Sequence, residues 1–398
     1  MFEMVDDKSQ KALIKVIGVG GCGGNAVDFM IEKNVQGVEF ICINTDLQAL
    51  KKSQANTIIQ IGDNLTKGLG AGSRPDTGKQ AAIDDKEKII QAIEGADMLF
   101  ITAGMGGGTG TGATPVIAQT AKELGILTVA VVTKPFEFEG RRTQVAKEGI
   151  SELVNYVDSL IVIPNEKLMG VLGEEVTFVD AFGAANNVLN SAVEGIAEII
   201  NNPGLINVDF SDVKTVMSEM GVAVIGSGFS EGPDRAIAAA KEAVSCPLLE
   251  EVNLNNAKGI LVNISASKDF KMREYFEVMD HIKKYAAENA SIIVGSVIDE
   301  SLNNHLRVTM VATGLSTPVS SYEQSKPEGV EQSSTDTQNV IEEINFNPEG
   351  DDGLNVFTEN GTEEFGNSGF DDDSEYDTPS FLRPKNKENN DLSKNNQE

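Results

Sequence analysis

Short apolar runs punctuate the first 165 residues: 13–17, 40–43, 57–61, 98–101, 126–132 and 159–163. Runs of this length, bounded by glycine, asparagine and proline, predict strands. Between them lie stripes with helical spacing. Ala26, Val27, Phe29, Met30 and Ile31 mark one, Ala81, Ala82, Ile89, Ile90 and Ile93 mark another within 77–93, and a third opens at Ala113-Thr114-Pro115-Val116-Ile117. Alternation of strand and helix predicts an α/β fold with a doubly wound, mostly parallel sheet, whose ligand lies where loops gather at the C-terminal strand edge.

A longer stripe follows. Val179, Phe182, Ala185, Leu189, Val193, Ile196 and Ile200 keep a 3.6-residue period through 178–200, a long central helix that stops at Asn201-Asn202-Pro203-Gly204. Past Gly221 the pattern predicts strands at 222–225, 259–264, 291–297 and 306–312 and helices at about 233–244 and 269–288, a second, smaller mixed α/β domain. From Thr317 onward isolated apolar residues stand among Ser, Glu, Asp, Asn and Gln, too few to repay ordering, so an acidic, disordered tail is expected.

Composition sharpens this. The 398 residues carry 61 acidic and 32 basic side chains, and 20 of the acids against 5 of the bases fall beyond residue 316. Such a balance argues against nucleic-acid binding, which needs a basic face, and any anionic ligand must be held by local donors. No apolar run is long enough for a membrane span, and the polar, acidic start is unlike a signal sequence, so a soluble, unsecreted protein is expected. Cys22, Cys42 and Cys246 are too few and scattered for a disulfide framework or zinc site. His281 and His305 sit in no nucleophile context, which disfavours a Ser/His/Asp hydrolase.

The chemistry lies in glycine. Gly104 to Gly112, GMGGGTGTG, stands between the apolar run 98–101 and a helix, where bare amides and the helix dipole make a phosphate cradle. Thr109 and Thr111 add hydroxyls for phosphate oxygens or a bound Mg²⁺. A second strand, glycine loop and helix spans Leu13 to Ile31 through Gly18-Val19-Gly20-Gly21-Cys22-Gly23-Gly24-Asn25. Gly18, Gly20 and Gly23 also fit G-x-G-x-x-G, with Asp46 where a ribose acid belongs, so an NAD-dependent oxidoreductase is one reading. The extra glycines and the second loop favour a nucleoside polyphosphate, and no G-x-x-x-x-G-K-[ST] is present. Asp209 and Asp212 share one face of a helix start, where capping competes with catalysis.

GGGTGTG at Gly106 to Gly112 is similar to the tubulin signature, and with GVGGCGGN, NTD, PFEFEG, AFGAANN and NVDFSDVK the chain resembles the tubulin-like FtsZ family of bacterial cell-division GTPases from Leu13 to Leu315, plus an island near the C-terminus. The resemblance implies a GTP/GDP site with Mg²⁺ held mainly by phosphates. Gly20, Gly21, Cys22, Gly23, Gly24 and Asn25 would hold phosphate and the guanine side, with Asn44 and Asp46 beside them. Ala71, Gly72 and Ser73 would sense the γ-phosphate, and Gly104 with Gly106, Gly107, Gly108, Thr109, Gly110 and Thr111 would wrap the phosphates. Glu139 would take the ribose, Phe182 the purine face and Asn186 the guanine edge. Where many relatives carry Arg this chain has Thr143, and Arg142 is the cation expected in its place.

The family further implies that Asn207, Asp209 and Asp212 act on the nucleotide of the next subunit, so hydrolysis requires head-to-tail assembly. The implied division is 1–12 disordered, 13–177 GTP-binding domain, 178–202 core helix, 203–220 synergy loop and helix, 221–316 C-terminal domain, 317–375 disordered linker, and 376–398 partner peptide and tail. In the peptide Pro379, Phe381, Leu382 and Arg383, with Lys385, would engage membrane-tethering division proteins, placing the protein in the cytoplasm at mid-cell without membrane insertion of its own. A non-hydrolysing tubulin-like scaffold is the other reading of the same motifs.

Overall fold

Strand β1 (Ile14–Val19) sends alternate side chains to different cores: Ile14 and Val16 to one, Ile17 and Val19 to the other. A strand covered on both faces reads as one apolar run. The computed structural model describes residues 12–167, 177–201, 204, 206, 208–219, 221–245 and 257–315. After β1 come α1 (Gly20–Glu32), β2 (Val38–Asn44), α2 (Leu47–Leu50), β3 (Thr57–Gln60), α3 (Asp63–Thr66), α4 (Pro75–Asp84), α5 (Lys86–Ile93), β4 (Met98–Gly104), α6 (Thr109–Glu123), β5 (Leu127–Lys134), α7 (Arg141–Leu153) and β6 (Ser159–Pro164). Then follow α8 (Phe178–Asn201), α9 (Phe210–Met217), β7 (Gly221–Glu231), α10 (Arg235–Val244), β8 (Ala257–Ala266), α11 (Met272–Ile282), β9 (Ala286–Ile298) and β10 (His305–Leu315).

Hydrogen bonding joins the strands in the order β3-β2-β1-β4-β5-β6-β7-β10-β8-β9. All neighbours from β3 to β6 are parallel. β6 meets β7 only at Ser159–Ile161 and Gly221–Ala223, and β10 runs antiparallel to both β7 and β8. The long helix α8 spans this junction. Its Leu189, Val193 and Ile196 are fully buried in a core shared by β1, β4, β5, β7, β8 and β10, each stabilising the fold by roughly 1.5–3 kcal/mol. Arg307 of β10 clamps the same helix through Glu198 at 2.6 Å and Glu194 at 3.4 Å. Asn263 and Ser265 of β8 also donate to Glu198, at 3.0 and 3.1 Å.

Several boundaries differ from the sequence reading. The stripe at 77–93 is two helices, broken at Asp85, whose carboxylate accepts from the Gly62 amide at 2.7 Å. The helix expected through Glu288 gives way earlier, because Ala286 pairs with Ala257 in the sheet and tertiary pairing overrides helix propensity. Helix α1 starts at Gly20 rather than Ala26, directly off the strand.

Candidate functional site

A cleft of about 540 Å³ is lined by the loops that follow β1, β2, β4 and β5. Two helix starts form its floor. Neither α1 nor α6 has a side-chain cap or an acidic residue in its first turn, so their leading amides and positive dipole ends are left for a ligand. The starts press together: a Cβ on Gly20, whose φ is +72°, would lie 2.9 Å from the Gly110 nitrogen. Two such ends side by side suit an anion with several charges.

The walls are fixed by short hydrogen bonds. Buried Asn44 accepts from the amides of Thr45 at 2.8 Å and Asp46 at 3.2 Å. Asp46 caps α2, its Oδ1 accepting from Gln48 and Ala49 at 2.8 and 3.3 Å. The loop with Ala71, Gly72 and Ser73 is drawn alongside by the Leu47 amide, which donates to Gly68 at 3.0 Å, and Ser73 holds a φ of +57°. Gly21, Cys22, Gly104, Gly106, Gly107, Gly108 and Thr109 complete this end. The Thr109 and Thr45 hydroxyls lie 2.7 Å apart. Thr111 differs from expectation, being buried with its hydroxyl accepting from the Gly106 amide at 2.8 Å, so it shapes the loop from behind.

The far end is aromatic and charged. Glu139 accepts from the Phe136 amide at 3.0 Å and pairs with Arg142 at 2.9 Å. Phe182 of α8 meets Phe136 edge to face at 5.9 Å and is 47 % exposed, although its helical stripe is otherwise core from Ala185 onward. Thr143 turns away, donating to the Phe136 carbonyl at 3.2 Å. Asn165 was not foreseen. It follows β6, lines the cleft while only 6 % exposed, and its Oδ1 has no hydrogen-bond partner. Its position just past a parallel strand is the signal that could have found it.

The remaining candidates lie elsewhere. Gly20, Gly24 and Asn25 line a smaller neighbouring pocket of about 160 Å³ with Asp28, Cys42 and Lys52. Gly23 is buried beneath the loop, and half-buried Asn186 stands one turn beyond Phe182. Asp209 and Asp212 are exposed at the start of α9 and do not line the cleft; Asp209 caps that helix by accepting from the Asp212 amide at 2.8 Å. Asn207, Pro379, Phe381, Leu382 and Arg383 lie outside the described residues, as does the expected disordered tail.

A mostly parallel α/β sheet with paired glycine-rich helix starts and a central helix presenting an aromatic to their cleft defines a nucleotide-binding protein of the tubulin-like class. Residues 13–173 match the Tubulin/FtsZ family GTPase domain, and residues 221–316 match the FtsZ family C-terminal domain. The cell division protein FtsZ of Pseudomonas aeruginosa is 59 % identical over 316 residues, 79 % of this chain and 80 % of that one. Its counterpart in Buchnera aphidicola subsp. Schizaphis graminum is 51 % identical over 387 residues, 97 % of this chain and all of that one. Among solved structures, the empty FtsZ dimer of M. jannaschii superposes with a TM-score of 0.74 at 44 % identity, covering 77 % of this chain and 89 % of that one. The chain belongs to the FtsZ family: it is a GTPase of bacterial cell division, and the NAD reading falls with that assignment.

Proposed function

We propose that the cleft holds GTP with its phosphates on the starts of α1 and α6, its ribose at Glu139 and its purine against Phe182, with Asn165 and Asn186 at the guanine edge. Backbone amides are suited to this work because the chain's overall charge repels the ligand and only local donors can hold it. Mg²⁺ fits as an ion held by phosphate and water rather than by a protein cage. Asp46, through the carboxylate oxygen that does not cap α2, and the Thr109 hydroxyl are lining oxygens of the type Mg²⁺ accepts. When bound, the ion neutralises phosphate charge.

One observation carries the mechanism. Of the described residues lining the cleft, the only carboxylates are Asp46 and Glu139, and both are engaged, one capping α2 and the other bound to Arg142 and the Phe136 amide. In this reading Asp46 is left to the ion and Glu139 to the ribose, and neither is spent on the attacking water. Asp209 and Asp212 are exposed on a separate element, so a second copy brings its acid pair, with Asn207, to the cleft of the first and orients the attacking water. Such a head-to-tail contact does not close on itself and generates a filament. A family member solved as a dimer supports self-association. Leu69, which lines the cleft and is 81 % exposed, and Phe138, 71 % exposed and stacked on Phe136, offer apolar surface for that neighbour.

In this reading 13–177 binds nucleotide, 178–202 and 203–220 link it to 221–316, and 317–375 tethers the 376–398 peptide to membrane-associated division proteins at mid-cell. Phosphate release measured against protein concentration tests the mechanism. The rate per molecule rises steeply above a threshold; a constant rate down to the most dilute samples would mean that each molecule hydrolyses GTP alone.

A further inference from the structure

A third helix start stands beside the two on the cleft floor. Helix α4 opens at Pro75 against the start of α6: a Cβ on Gly112 would run into the Pro75 carbonyl, and one on Gly108 would lie 3.0 and 3.2 Å from the backbone nitrogen and oxygen of Arg74. The loop of Ala71, Gly72 and Ser73, which lines the cleft, leads straight into this start, the Arg74 amide donating to the Ala71 carbonyl at 3.2 Å. Like α1 and α6, α4 has no side-chain cap. Glu139 follows β5, whereas this loop is tied to the end of β2 through Leu47 and Gly68, with β1 and β4 between them in the sheet. The two therefore mark opposite ends of the cleft. With the ribose at Glu139, the last phosphate of a triphosphate falls at the end where α4 begins.

Arg74 breaks two local rules there. It occupies the N-cap of α4, a place that favours Ser, Thr, Asp or Asn, and it adds a cation where the helix dipole is already positive. Its side chain is exposed, and among the described residues no acid pairs with it, Asp76 in the same first turn included. The only cation among the described residues lining the cleft is Arg142, at the other end and bound to Glu139. A positive charge kept beside three positive helix ends answers to a polyanion that reaches them. We propose that Arg74 is the residue that tells a nucleoside triphosphate from a diphosphate, its guanidinium closing over the lip at Gly72 and Ser73 to donate to the terminal phosphate oxygens. This rests on the cleft being the nucleotide site. A diphosphate ends on α1 and α6 and leaves Arg74 in water, while a triphosphate extends one group further, and the planar fork of arginine matches that group with two parallel hydrogen bonds.

Equilibrium titration of the full-length chain with GDP and with a GTP analogue carrying a methylene bridge between its β- and γ-phosphates, both with Mg²⁺ and at protein concentrations too low for assembly, tests this. Arg74→Ala weakens binding of the analogue by about tenfold and leaves GDP binding within about twofold of wild type. Its affinity for the analogue also becomes less salt-dependent, while that for GDP keeps its salt dependence. Arg74→Lys, which keeps the charge but not the fork, recovers part of the loss. Thermal melting of the ligand-free variants stays at or slightly above wild type, since the change removes a cation from a helix start. An equal loss for both ligands would make Arg74 a structural residue of the loop, and unchanged affinity for both would leave it a solvated side chain; either overturns the proposal. A wild-type chain that takes up neither ligand overturns the nucleotide reading itself, and a wild-type chain that binds GDP while Arg74→Ala loses nothing for the analogue overturns only this one.

Discussion

Two arginine–glutamate pairs, one in each half of the molecule, show how differently the same chemistry is used. Arg235 of α10 is buried; its guanidinium bonds both oxygens of Glu274 at 2.7 and 3.2 Å, Asp269 at 3.1 Å and the Asn304 carbonyl at 2.8 Å. Arg142 of α7 makes one bond of 2.9 Å to Glu139 on the preceding turn, with its side chain 57 % exposed. A cation whose donors are satisfied and enclosed holds elements together. A cation with one partner at the rim of a cleft keeps donors for a ligand. In the proposed mechanism the open loops of the first half carry the chemistry, and the second half is the body against which α9, with the acid pair at its start, is packed.

The largest expected effect lies where the two halves meet in the mechanism. Asp212→Ala lowers GTP turnover in concentrated protein by roughly 10²–10⁴-fold, the usual worth of a positioned acid or base, while GTP binding at low concentration is kept. Asp209→Ala acts likewise but also removes a helix cap worth about 0.5–2 kcal/mol, so its melting temperature falls as well. Turnover measured beside nucleotide affinity separates the roles. A parallel loss of both would return the acids to structure alone.

Next in size is Arg235→Ala. Removing one partner of a buried pair leaves Glu274 uncompensated, an expected loss of about 3–5 kcal/mol in denaturant unfolding. The pair also sets a pH dependence. Burial alone would raise the Glu274 carboxyl, but the Arg235 hydrogen bonds and the Lys271 amide hold it below its ordinary 4.5. A depressed carboxyl contributes stability above its unfolded value and loses it as pH falls through the folded one. The wild type accordingly weakens below about pH 4.5 by a component that Arg235→Ala lacks, and urea midpoints across that range measure it.

Phe182→Ala is expected to weaken nucleotide binding by about 1–3 kcal/mol, the worth of a base stacked on an aromatic ring. Its effect on folding is small, because the ring is already half exposed. Fluorescent-nucleotide titration together with thermal melting checks the pairing of these outcomes; a large fall in stability with unchanged affinity would mark Phe182 as core.

Much of this was legible in the chain because local physics wrote it. The parallel strands had to be apolar on both faces, and the glycine runs had to end strands and begin helices. Asn165 carried no periodic signal, being one polar residue after a strand. Phe182 stands in a stripe whose spacing predicts core, so in the sequence only the family resemblance set it apart from Leu189, and in the fold its exposure does. Arg235 and Glu274 stand 39 residues apart, a pairing no local pattern announces. Thr111 looked like a ligand donor because its loop is one, yet the Gly106 amide claims its hydroxyl.

The smallest effect is the finest test of the contrast. Arg142→Ala removes an exposed pair worth at most about 1 kcal/mol, so stability hardly moves. Nucleotide affinity, by contrast, falls by up to about fivefold and becomes less salt-dependent, since one cation near the ligand is gone. Glu139 sits in the same pair, so the double variant Arg142→Ala with Glu139→Gln loses less than the sum of the two single changes if both face the nucleotide through their shared bond. Strict additivity, or a stability loss near that of Arg235→Ala, would show that the rim pair is built like the buried one and that the cation expected in place of the residue at Thr143 must be sought elsewhere.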